Sequence, residues 1–221
     1  MKSGNPFWKA VVFDFDGTLA RLNIDFPAIR AALVVLVERF GIPAGESGNP
    51  HILEMIDGVF ESLRNGDPGR AEAFHGEAHA LLKQMEIRAA GEGTLLEGTR
   101  PLLGELNRRR VRIGVVTRNC REAVLKIFPD IEECCQAFLS RESVPHVKPH
   151  PDHLLATLDL LGVSPADAAM VGDHPMDMHL GRAAGASAIG VLTGHSGREA
   201  LRLAGAERII EKAIDILEIS R

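Results

Sequence analysis

Several short apolar runs along the chain each stop abruptly at a polar residue. Ala10 to Phe13 runs into Asp14, Arg112 to Val116 into Thr117, and Ala168 to Val171 into Gly172 and Asp173. Continuous apolar runs of this length, without polar alternation, predict strands buried on both faces. Gln136 to Leu139, Ser187 to Leu192 and Arg208 to Ile210 read as further strands. From Val111 onward these strands alternate with helical segments near Cys120, Pro151, Pro175, Gly197 and Glu211, which predicts an α/β fold built on a parallel sheet with helices on both faces. Between Leu19 and Val111 the strand signal is absent and three helical patterns replace it. The first has Asp25 as N-cap, Pro27 in its first turn, an apolar face of Ile29, Leu33, Leu36, Val37 and Phe40, and Gly41 as terminator. The second carries Ile52, Ile56, Val59, Phe60 and Leu63; the third runs from Arg70 to Ala90 with Phe74, Ala78, Leu81, Leu82 and Met85 inward. The expected organisation is a core of residues 1–20 and 98–221 interrupted by an inserted helical segment, 21–97.

The polar residues at the strand ends carry the chemistry. In Asp14-Phe15-Asp16-Gly17-Thr18-Leu19 two carboxylates stand at i and i+2 on the end of a strand, and Gly17 lets the chain turn away at once. Anions so close repel unless a cation neutralises them or one keeps its proton, a setting for a hard metal ion and for acid/base work. In open parallel sheets functional sites lie outside the carboxyl ends of the strands, where Asp14, Thr117 and Asp173 are all expected.

The order of these residues, with Lys148 in Pro145-His146-Val147-Lys148-Pro149-His150-Pro151-Asp152 and Asp177 four residues after Asp173, resembles the motif series of the haloacid dehalogenase-like (HAD) hydrolases. The resemblance implies a Rossmann-like core with an α-helical cap inserted after the first motif (subclass I, phosphoglycolate-phosphatase-like). It also implies a Mg²⁺-dependent phosphatase acting on a small-molecule phosphate ester such as phosphoglycolate or a sugar phosphate. On that basis Asp14 is the nucleophile that becomes an aspartyl-phosphate, and Asp16 gives and takes the proton. Mg²⁺ is expected on the Asp14 carboxylate, the Asp16 carbonyl and the Asp173 carboxylate, with Asp177 orienting Lys148 or a metal-bound water. Thr117, the Arg118 amide at a helix start and Lys148 are expected to bind the phosphoryl oxygens. Asn119 either assists them or caps the helix. Asp16 argues against halide displacement. A phosphomutase of the beta-phosphoglucomutase type and a non-catalytic phosphate-sensing module are the alternatives.

Composition changes this picture little. The net charge of −5 argues against nucleic acid as a partner, and the run Arg108, Arg109, Arg110 and Arg112 reads as a basic helix end complementing the dipole. The longest apolar stretch, Ala31 to Val37, is too short to span a bilayer, so no membrane partner is expected. Cys120, Cys134 and Cys135 match neither a disulfide framework nor a zinc pattern, and no signal peptide is read ahead of the first strand; both point to a cytoplasmic setting, and a monomer or homodimer is expected. His75-Gly76-Glu77-Ala78-His79 lacks the glutamate that a zinc-protease helix places directly after its first histidine, and reads as exposed helix histidines. His146, His150 and His153, close to Lys148 and to prolines, are set aside as metal ligands. Arg21, Asn23, Arg30, Arg64, Arg70 and Arg88 are candidates in the inserted segment for a second anion on the substrate, most of them expected to be solvated helix faces.

Overall fold

The computed structural model describes residues 8–43 and 51–219; the segment read as free of a signal peptide lies largely outside them. The chain divides into two compact units, residues 1–22 with 90–221, and residues 23–89. In chain order the described elements are β1 (Ala10–Asp14), β2 (Ala20–Arg21), α1 (Phe26–Arg39), α2 (Ile52–Arg64), α3 (Pro68–Ala89), β3 (Thr94–Leu95), α4 (Thr99–Arg108), β4 (Arg112–Val116), α5 (Arg121–Ile127), α6 (Ile131–Cys134), β5 (Ala137–Leu139), α7 (Asp152–Leu161), β6 (Ala168–Gly172), α8 (Pro175–Ala184), β7 (Ser187–Val191), α9 (Arg198–Leu203) and β8 (Arg208–Ile210).

The first unit is a parallel sheet in the order β5-β4-β1-β6-β7-β8. β1, between β4 and β6, sets the register: Phe13 lies opposite Val115 and Val171, and Asp14 opposite Val116. Every residue of β1 and β6 is buried, as a central strand covered on both faces requires. Alternate side chains take opposite faces. Ala10, Val12, Val116, Ala168 and Met170 share one cluster with Leu154, Leu158 and Leu161 of α7 and Leu180 of α8. Burying each large aliphatic side chain there contributes about 1.5–3 kcal/mol of transfer free energy.

The second unit is helical. α1 starts where the Asp25 carboxylate accepts from the Ala28 amide at 2.9 Å, and buries Ile29, Leu33, Leu36 and Val37. Phe40 meets Phe74 of α3 edge-on at 5.5 Å between ring centroids. α2 buries Leu53 and Met55 beside the expected Ile56, Val59 and Leu63, a wider stripe than its period announced. Several candidate arginines already have partners within this unit: Arg64 lies 3.1 Å from Glu61, and Arg70 donates to the Phe40 carbonyl.

Two expectations need correction and one element is added. The boundaries at 20/21 and 97/98 move to 22/23 and 89/90, because β2 and β3 pair antiparallel within the first unit. Strands of two residues carry no periodicity to read. The helical signal near Glu211 is a 3₁₀ segment, Ala213–Glu218, and the one-turn helix α6 was not foreseen.

Gly114 of β4 shows how tightly the sheet meets α7. A Cβ there would lie 2.6 Å from the Thr157 methyl and 3.1 Å from a Val12 methyl. Thr157 cannot turn that methyl away while its hydroxyl donates to the His153 carbonyl at 2.8 Å. Relieving the strand of a glycine is worth about 0.5–1 kcal/mol, less than the roughly 1–3 kcal/mol that overpacking costs. Gly114→Ala is therefore expected to lower the urea midpoint at unchanged m-value; an unmoved midpoint would show that α7 yields freely.

Candidate active site

Because β1 pairs with both β4 and β6, three polar strand ends meet at one edge: Asp14 at the end of β1, Thr117 after β4 and Asp173 after β6. Lys148, from the loop ahead of α7, joins them. Its Nζ contacts Asp14 Oδ1 and donates to Asp177 Oδ1 at 2.7 Å, and all three groups are buried. Carboxylate oxygens of Asp14, Asp173 and Asp177 lie within 4.8 Å of one another. Ionised together, three buried carboxylates against one buried ammonium would leave two negative charges uncompensated. Burial, joined by repulsion from Asp177 and Asp173, pushes the Asp14 carboxyl well above the usual range against the pull of Lys148. Burial and Asp177 likewise raise Asp173. Burial works to discharge Lys148, but attraction to Asp14 and Asp177 outweighs it and holds the ammonium charged. An all-oxygen donor set with a charge deficit of two suits a hard divalent cation.

The backbone around Asp173 is shaped to that carboxylate. A Cβ on Gly17, whose φ is +79°, would fall 2.6 Å from Asp173 Cγ, and one on Gly194 would fall 1.8 Å from its Oδ2. Only glycine at both positions lets two loops close on this side chain. The His195 amide then donates to Asp173 Oδ2 at 3.3 Å, and Thr193 Oγ1 donates to the Gly17 carbonyl at 2.5 Å, tying the loop after β7 to the turn after β1. The roles of Thr193, Gly194 and His195 are not legible in the sequence, because a hydroxyl reaching the Gly17 carbonyl, a missing Cβ and a backbone amide each depend on through-space approach that the motif order does not encode. Gly172 likewise gives way to Asp177, whose Cγ lies 2.3 Å from where its Cβ would stand. Asp177 Oδ2 accepts from the His174 amide at 3.1 Å, so α8's first turn holds Asp177 toward Lys148.

Asp16 faces a different environment. Its Oδ1 accepts from the Leu22 amide at 2.8 Å, which lowers the carboxyl's pKa, but burial outweighs that bond and lifts it to about 6. Such a carboxyl can hold and release a proton near neutrality.

On the opposite side, Thr117 Oγ1 accepts from the Asn119 amide at 3.1 Å, leaving its hydroxyl proton to donate elsewhere. Asn119 Oδ1 accepts from the Cys120 amide at 2.9 Å, while its buried Nδ2 has no hydrogen-bond partner. A buried donor left unmade is costly, so this one marks a place where an acceptor belongs. The expectation that α5 opens at Arg118 and Asn119 is corrected: α5 begins at Arg121 after Cys120, so the Arg118 amide is no helix-terminal donor. The extended Cys120 holds the turn out of helical geometry. The Arg118 guanidinium instead donates to the Lys148 carbonyl at 2.7 Å.

His153 braces the same loop from beneath. Buried, it accepts from the Lys148 amide through Nδ1 at 3.3 Å and meets the Leu139 carbonyl through Nε2 at 3.1 Å. Burial lowers its pKa to about 4, so the ring is neutral, with Nε2 protonated. His146 and His150, both exposed, face Asp152 at 3.0 and 3.3 Å.

The model of one known family, the haloacid dehalogenase-like hydrolases, matches residues 8–185, from the residues before β1 through the end of α8. The chain belongs to that family. A pyrophosphatase PpaX from Bacillus pumilus is 29% identical over 219 residues, covering 95% of this HAD hydrolase and 94% of the relative. A phosphoglycolate phosphatase from Shigella boydii is 25% identical, over 95% and 91% of the two chains. A hydrolase of known structure from Pseudomonas syringae superposes with a TM-score of 0.67 at 22% identity, over 96% of each chain, a likeness of fold.

His153 makes the site's support sensitive to acid. A ring with an ordinary pKa of 6.5 when unfolded and about 4 when folded contributes stability that is complete above the unfolded value and lost as pH falls toward the folded one. Urea unfolding between about pH 7 and about pH 5 is expected to show a loss of about 2 kcal/mol from this group in the parent and none of it in His153→Gln. Equal losses in the two proteins would mean that His153 titrates normally in the fold.

Proposed function

We propose that this HAD hydrolase is a Mg²⁺-dependent phosphatase of a small phosphorylated metabolite, phosphoglycolate or a sugar phosphate, working through an aspartyl-phosphate on Asp14. The observation that carries the reading is the buried Lys148 ammonium set between Asp14 and Asp177 beside the Asp173 carboxylate, a site short of two positive charges and flanked by an acid poised near neutrality. Mg²⁺ would be held by the Asp14 and Asp173 carboxylates and the Asp16 carbonyl, and when bound it supplies the charge that lets a carboxylate approach a dianionic phosphate.

The chain's own residues account for the steps. An Asp14 oxygen attacks phosphorus in line with the ester bond, and that bond breaks with its electron pair on the leaving oxygen. The protonated Asp16 carboxyl gives its proton to that oxygen. Water then attacks the phosphorus of the aspartyl-phosphate, losing a proton to the Asp16 carboxylate, and the acyl–phosphate bond breaks to release inorganic phosphate and free Asp14. Throughout, Lys148 and the Thr117 hydroxyl neutralise and hold the phosphoryl oxygens, and the unpartnered Asn119 amide supplies a further donor. Asp177 keeps the Lys148 ammonium aimed.

The small-molecule substrate, the cytoplasmic setting and a monomeric or homodimeric state belong to the same reading. The net charge favours a small molecule over nucleic acid, and the three free cysteines favour a reducing compartment. Among the described residues no helix is long and apolar enough to cross a membrane.

The test is hydrolysis of p-nitrophenyl phosphate, and of a panel holding phosphoglycolate, sugar phosphates and pyrophosphate, with Mg²⁺ and with chelator. Turnover that needs Mg²⁺ is expected, with one phosphate ester preferred; phosphate binding without turnover would leave a sensing module in its place. Asp16→Asn is expected to slow both half-reactions by about 10²–10⁴-fold while Mg²⁺ affinity holds, because the Asp16 carbonyl remains. Asp173→Asn should weaken Mg²⁺ binding. Equal losses of Mg²⁺ affinity in the two variants would contradict the role given to Asp16.

A further inference from the structure

The segment His75-Gly76-Glu77-Ala78-His79, unremarkable as a protease motif, becomes a different object once α2 lies beside α3. The two histidines stand one helical turn apart on the same face of α3. Their Nε2 atoms face each other at 3.1 Å, with ring centroids 4.3 Å apart. Asp57 of α2 brings a carboxylate oxygen to the same point, all three groups offering ligand atoms within 4.8 Å of one another. Phe60, one turn beyond Asp57, packs on the His75 ring at a centroid distance of 5.0 Å and fixes its plane. Glu77 faces elsewhere, paired with Arg39.

We infer that Asp57, His75 and His79 form a second metal site, built for a borderline transition-metal ion, zinc first. Two imidazole nitrogens bound tetrahedrally at about 2.0–2.1 Å from zinc lie about 3.3 Å apart, close to the separation these two already hold. Imidazole nitrogens with one carboxylate select zinc, nickel or copper over Mg²⁺, so this site and the carboxylate site do not compete for one ion. Three protein ligands leave a fourth position to water. The ion bridges α2 to α3, and because the unfolded chain does not hold these three groups together, binding stabilises the helical unit. The other histidine cluster differs: His146 Nδ1 lies 3.0 Å from Asp152 Oδ2, while His150 Nδ1 is taken up by its own loop, accepting from the Asp152 backbone amide at 3.3 Å.

Zinc titrated calorimetrically into the full chain, saturated beforehand with Mg²⁺, tests this, with the thermal midpoint followed in parallel. One zinc equivalent and a rise in the midpoint are expected. His75→Asn, His79→Asn and Asp57→Asn should each weaken that equivalent at least about tenfold, the low end of what even an outer partner's loss costs a metal site, and remove the rise in midpoint. The double variant His146→Asn/His150→Asn should keep both. An isotherm unchanged in all three single variants, or zinc lost from the His146/His150 variant or from Cys134→Ser/Cys135→Ser instead, would overturn the assignment.

Discussion

Everything at the carboxyl edge of the sheet answers to one imbalance. Asp14, Asp173 and Asp177 are buried within reach of each other, and among the described residues Lys148 is the cation that pairs with Asp14 and Asp177. Buried charges of one sign cost several kcal/mol each unless they are paired, and a single ammonium cannot pair three carboxylates. On the proposed function the arrangement is completed from outside, by a divalent ion and by the phosphoryl group that the ion would allow to approach. The geometry around Asp173 makes the same point locally. Gly17 and Gly194 give up side chains so that two loops can close on one carboxylate, and the His195 amide fixes one of its oxygens.

The sheet order makes such a concentration of charge attainable. With β1 between β4 and β6, three strand ends separated widely in sequence become neighbours with no long side chain needed to bridge them. Lys148 arrives on a loop held from two directions, by the Arg118 guanidinium on its carbonyl and by neutral His153 on its amide. Its side chain is aimed by Asp177, which the first turn of α8 holds in turn. A cation that must sit between two carboxylates is thus positioned by its backbone as much as by its charge.

Much of this was legible in the sequence, and for a physical reason. A central parallel strand is buried on both faces, so Ala10 to Phe13 and Ala168 to Val171 admit little but apolar residues, and the first polar residue after each marks a strand end where function sits. Asp14, Thr117 and Asp173 were expected at such ends on that ground, and the structure brings the three to one edge of the sheet. What stayed hidden depends on through-space approach: the glycine cradle of Asp173, the brace of His153 under Lys148, and the meeting of Asp57 with His75 and His79. The pairing of β2 with β3 was missed because two-residue strands have no period. The helix after Thr117 was begun too early because Arg118 and Asn119 form a side-chain-stabilised turn that resembles a helix start in sequence.

The central claim is that Asp14 takes the phosphoryl group. Protein quenched with acid during turnover of a good substrate, then digested and mapped by mass spectrometry, tests it directly. The account predicts phosphate on the peptide containing Asp14, located at that carboxylate. Phosphate on another residue, or turnover persisting in Asp14→Ala with no phosphorylated peptide, would contradict it.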